Sequence, residues 1–159
     1  FNSNESYQTL LKERTVYGGG GIIPDHFVPL DTTGTSAYFN KLIRKGIFNQ
    51  FALSWVNKNR EYLEKKYPNF DKFNSKFDTQ NAVDELIEYA EVEGLEFKED
   101  QYNKAKHVIH TRLKANIAQD LFNYKKFYQI INDLNNALEK SLELLKDDKA
   151  FSKLAMNNN

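Results

Sequence analysis

Ser54 and Lys58 lie four residues apart in a helical stretch, close enough for the amine to reach the hydroxyl. A serine beside a neutral lysine is one route to an alkoxide nucleophile, but it also needs an oxyanion pocket and a base kept dry. Asn57, Arg60 and Glu61 share the wet side with Lys58, so the pair reads as ordinary helix surface. His107 and His110 are three apart, a spacing that can supply two metal ligands if a third arrives from elsewhere. No Asp or Glu follows at a matching place, and Lys104, Lys106, Arg112 and Lys114 oppose a divalent ion. This stretch reads as a solvated basic face. Asp25 and His26 could form an acid–base pair in principle, but neighbours on an extended strand point to opposite faces. There is no Gly-x-Ser-x-Gly elbow. The residues therefore assign no catalytic group, no metal ligand and no cofactor.

The most unusual stretch is Tyr17-Gly18-Gly19-Gly20-Gly21-Ile22-Ile23-Pro24-Asp25. Four glycines in a row present backbone N–H groups with no side chains in the way, which suits a close backbone approach or an anion. A phosphate loop would need Lys and then Ser or Thr after the last glycine, where Ile22 and Ile23 stand. A dinucleotide fingerprint would need glycine at Ile23 and a helix opening there, and Pro24 biases Ile23 toward extended backbone. Thr15-Val16-Tyr17 and Phe27-Val28 flank the run with β-forming residues, so the segment is expected to be strand, glycine turn, strand.

Lys plus Arg and Asp plus Glu number 22 each in the 159 residues, so no global field recruits nucleic acid or a membrane surface. The lack of cysteine removes disulfides, zinc–thiolate sites and cysteine nucleophiles together. No run is long and apolar enough to span a bilayer. The sequence opens on Phe1 rather than Met and shows no signal peptide there, so a fragment of a longer protein is expected.

Periodicity predicts a mainly α fold: an irregular antiparallel bundle of four to six helices behind a short, extended, glycine-rich arm. Thr35 or Ser36 should cap a helix ending at Gly46. Phe48, Phe51, Ala52, Trp55, Val56, Tyr62 and Leu63 mark a second helix, stopped by Pro68. Phe70, Phe73 and Phe77 fall in a connection. Asp78 should cap a third helix bearing Val83, Leu86, Ile87 and Ala90 and ending at Gly94. A fourth and longer one buries Tyr102, Ala105, Ile109, Leu113, Ile117 and Leu121, then continues or kinks near Asn123. The last carries Leu134, Leu138, Leu142 and Leu145. The abundant aromatics read as helix packing rather than ligand stacking.

Gly20-Gly21-Ile22-Ile23-Pro24-Asp25-His26-Phe27-Val28-Pro29 resembles the Gly-(Ile/Val)-x-Pro-Asp-x-x-(Val/Leu)-Pro segment of the carboxyl-terminal processing peptidases, the tail-specific proteases. Arg14 to Gly19 is similar to the lead-in of their Bacteroidetes-type branch. Looser likenesses follow at Asp31-Thr32-Thr33-Gly34, Asn59-Arg60-Glu61-Tyr62-Leu63 and Lys114-Ala115-Asn116-Ile117-Ala118. The resemblance implies a serine endopeptidase with a Ser/Lys dyad, usually with a PDZ domain, in the cell envelope or periplasm. The dyad would lie upstream, so no catalytic residue carries over. Gly20, Gly21, Pro24 and Asp25 carry over as a structural segment. Residues 1–33 would be the terminal segment of the peptidase core and 34–159 a C-terminal helical domain. Implied partners are the upstream catalytic and PDZ domains and protein or peptide substrates, with a homo-oligomer by strand exchange as a further option, and neither nucleic acid nor a membrane span. The alternative is a non-catalytic helical interaction or scaffold domain sharing a glycine-rich turn.

Overall fold

The computed structural model describes residues 6–10, 15–17, 26–29, 31 and 33–146. Gly20, Gly21, Pro24 and Asp25 lie outside the described residues. The chain divides into two compact units, Phe1–Leu30 with Asn136–Asn159, and Asp31–Asn135. The fold is mainly α with a short N-terminal β arm, as the periodicity predicts.

In the first unit, β1 (Ser6–Gln8) pairs antiparallel with β2 (Thr15–Tyr17), placing Tyr7 opposite Val16. The expected strand partner across the glycines, Phe27-Val28, is not a strand. Pro29 has no N–H to give to a ladder, and β2 already has a partner in β1. Phe27 is 77% exposed. The α7 helix (Asn136–Lys146) carries three of the four predicted leucines, Leu134 falling outside it, but no residue in it is buried, and Leu142 and Leu145 are exposed. Its Glu139, Lys140 and Glu143 share a shallow groove with Phe27, Val28 and Pro29.

Among its described residues the second unit holds six α-helices and a short 3-10 turn at Asn132–Leu134. Ser36 caps α1 (Ala37–Arg44), its Oγ accepting the Phe39 N–H at 3.1 Å. Gly46, at φ +70°, reverses the chain into α2 (Ile47–Lys66), and Gly94, at φ +74°, ends α4 (Gln80–Val92). Both take the left-handed conformation that closes a helix at its C′ position. Between them is α3 (Phe70–Lys76), a helix where a connection was expected. Asn69 caps it by accepting the Lys72 N–H, and the 70, 73, 77 spacing of its phenylalanines was helical all along. At seven residues it is too short to exist without the packing of those rings.

The spine is α2 against α5 (Glu99–Leu121), with α1, α4 and α6 (Tyr124–Ile131) packed on α5. All six residues of the predicted α5 stripe are buried. Each fully buried aliphatic or aromatic side chain contributes about 1.5–3 kcal/mol of transfer free energy. Tyr67, Phe73, Phe77 and Phe122 form an aromatic cluster with ring centroids 4.5–5.7 Å apart along its contacts. This is helix packing, as read from the sequence. Tyr62, assigned to the α2 stripe, is instead exposed, its hydroxyl accepting from the Lys66 ammonium at 2.6 Å.

Candidate functional site

The α5 helix meets α6 at a corner made by two residues. Phe122 closes α5, and Asn123 turns to extended backbone (φ −173°, ψ 169°) while its side chain accepts the Lys125 N–H at 3.1 Å. That cap starts α6 and folds it back onto α5. A cleft of about 640 Å³ opens there, lined by Asn49 of α2, Arg112, Asn116 and Gln119 of α5, Tyr124, Phe127, Tyr128 and Ile131 of α6, and the following turn.

Helix geometry places Arg112 and Asn116 on one side of α5, since four residues advance about 400°. The Arg112 guanidinium lies 4.9 Å from the centroid of the Phe127 ring, a cation–π arrangement. Its Nε is buried with no partner, and the group makes no ion pair among the described residues. Burial pushes the guanidinium pKa down, opposed by the Tyr128 phenol. Asn116 is 2% exposed. Its Nδ2 donates to Asn49 Oδ1 in a short hydrogen bond, and its own Oδ1 is buried without a partner. The Tyr124 and Tyr128 hydroxyls bond each other at 2.8 Å, which raises the Tyr128 pKa.

A second polar cluster sits on the opposite side of α5. His110 Nδ1 is 2.7 Å from Thr79 Oγ1 and its Nε2 is 2.9 Å from the Tyr102 hydroxyl. A neutral imidazole with one N–H and one lone pair satisfies both hydroxyls. Burial, then Lys106, hold its pKa below the ordinary histidine value. Both ring nitrogens are thus engaged within the fold, while His107 is exposed. Among the described residues no three His, Asp or Glu side chains gather as a metal cluster.

The basic face expected over Lys104 to Lys114 is not one face. His110 and Arg112 are about 200° apart around the helix. Lys104, Lys106 and His107 are exposed, whereas Arg112 and Lys114 are half-buried, with Lys114 Nζ donating to the Asn74 carbonyl at 2.7 Å. Burial pushes the Lys114 pKa down. Ser54 and Lys58 both stand exposed on α2, and His26 lies in an exposed bend.

Sequence reasoning passed over Asn49, Asn116 and the Tyr124–Tyr128 pair. One signal was available: Ala115-Asn116-Ile117-Ala118 places four consecutive small, apolar or amide residues inside a helix rich in charge. Such a run marks a turn buried all round, and an asparagine inside it must find or lack a partner.

Residues 38–123 match the model of a family described as a family of unknown function, DUF8443. The chain belongs to that family. The DUF8443 match takes in more than half of the 159 residues, begins with α1 and ends at the Asn123 cap. It includes Asn49, Arg112 and Asn116 and stops just short of the two tyrosines. No curated protein and no solved structure matches the chain. Among the described residues no helix is long and apolar enough to cross a membrane.

Proposed function

We propose that this chain is the C-terminal portion of a serine endopeptidase of the carboxyl-terminal processing type. In this reading the helical unit supports a catalytic domain that carries the serine and lysine upstream. One observation carries it: the Gly20-Gly21-Ile22-Ile23-Pro24-Asp25 to Pro29 segment, read directly before the helical unit that opens at Asp31. Exposed Phe27, Leu142 and Leu145 support it too, as apolar groups that a neighbouring part of the same protein could cover. The complete enzyme would hydrolyse peptide bonds through a serine alkoxide made by a neutral lysine. It would work in the cell envelope, with a PDZ domain and peptide or protein substrates.

Proteolysis of an unstructured model substrate by the full-length protein tests this, with and without residues 34–159. The full protein should cleave, the truncated one should lose most of that activity, and residues 1–159 alone should not cleave. Cleavage by the isolated chain, abolished by a point change within it, would overturn the proposal. So would a native reading frame with no upstream serine and lysine; that outcome favours the second reading, a helical binding domain, for which the open polar cleft speaks.

A further inference from the structure

Two residues that line the cleft at the α5–α6 corner each hold a buried polar atom, and the two atoms have opposite needs. Arg112 Nε–H lacks an acceptor and Asn116 Oδ1 lacks a donor. Leaving either unmet is costly, and a half-buried guanidinium with no ion-pair partner among the described residues is more so. The two atoms sit one helical turn apart and do not satisfy each other. A third polar resource is close by. Tyr124 and Tyr128 use one phenolic proton in the bond between them, which leaves the second hydroxyl proton available. The remaining lining sets apolar Phe127, Ile131 and Leu134 beside polar Asn49, Gln119, Asn132 and Asn135. The volume, about 640 Å³, lies within the range of small-ligand sites.

A ligand that answers all of these carries a carboxylate for the guanidinium fork and the phenol, an N–H donor one carbon away for the asparagine oxygen, and an apolar side chain. A planar guanidinium placed over an aromatic ring, here 4.9 Å from the Phe127 centroid, offers a two-pronged donor that suits a carboxylate. We propose that this cleft binds an apolar α-amino or α-amido carboxylate, with Arg112 taking the carboxylate and Asn116 accepting from the adjacent nitrogen. Such a group is either a free amino acid or the last residue of a peptide. The proposal does not rest on the peptidase reading and can fail or stand without it.

The probes are leucine, N-acetyl-leucine and N-acetyl-leucinamide, each titrated into the purified chain and followed by NMR shifts and calorimetry. The carboxylate-bearing probes should bind saturably and the amide should not. Preference for N-acetyl-leucine assigns the site to peptide ends, and preference for leucine assigns it to the free amino acid. Arg112→Gln should weaken binding by roughly ten-fold or more, and Arg112→Lys, which keeps charge but not the fork, by less. Thermal unfolding of both variants shows that they are folded. Three results overturn the proposal: no saturable binding of either acid up to about 10 mM, equal binding of the amide, or binding unchanged in Arg112→Gln.

Discussion

Two polar clusters share the α5 helix and differ in one respect. Around His110 every polar atom of the imidazole has a partner, Thr79 on one nitrogen and Tyr102 on the other. Around Arg112 and Asn116 the partners run out, and two buried atoms are left open. The first arrangement is closed and ties α4 to α5. The second is rooted in the same helix but faces a cleft. In a sequence histidine draws attention and a lone asparagine does not. Satisfaction of hydrogen bonds separates a joint of the fold from a place that receives something else.

The largest expected effect removes the scaffold common to both. Leu113 is fully buried on α5 between the two clusters. Leu113→Ala should cost about 2–5 kcal/mol by urea unfolding, and it should weaken probe binding and His110 ordering together. Next comes the closed cluster itself. His110→Ala strands the Thr79 and Tyr102 hydroxyls and should cost about 1–3 kcal/mol. A loss within experimental error would mean that the histidine does not hold α4 to α5.

The same residue gives a pH dependence. Burial lowers the folded pKa of His110 below its unfolded value, so the folded state prefers the neutral ring. The unfolded chain then binds more protons near and below pH of about 6.5. His110's contribution is therefore fully present above that pH and is lost as pH falls through the folded pKa. Urea midpoints between pH 7.5 and 5 should fall in the native chain, and fall less in His110→Ala.

A smaller effect tests the corner that makes the cleft. Asn123→Ala removes the α6 cap and should cost about 1 kcal/mol, with a larger relative loss of probe binding than of stability. The smallest effect is the sharpest contrast with His110. Arg112→Gln deletes a half-buried cation that has no ion-pair partner among the described residues, so stability should change by less than about 0.5 kcal/mol or rise slightly. A loss comparable to His110→Ala would erase the distinction between the clusters.

Most of the helices were legible from spacing, because α1, α2, α4 and α5 each carry a stripe at three and four residues, although the α4 N-cap is Thr79 rather than the expected Asp78. Gly46 and Gly94 closed the helices they were expected to close. The α3 helix was missed because seven residues give too few periods, although its phenylalanines were correctly spaced. The α7 leucines were legible as a helix but not as a buried one, since period says which residues share a face and not what covers it. The cleft was the least legible part. Arg112 was grouped with lysines next to it in sequence, while its neighbours in space, Phe127 and Tyr128, come from the far side of the Asn123 corner.

The sequence by itself determined most of where the chain is helical, six of the interior residues of α5, and that no cysteine, long apolar span or dominant charge is available. Those depend on local spacing and composition, which a chain carries however it is arranged. Only the tertiary structure decided that His110 is closed and that Arg112 and Asn116 are open. Whether a polar atom is satisfied depends on which distant groups come within about 3 Å of it, and here the answers came from α4 and from α2.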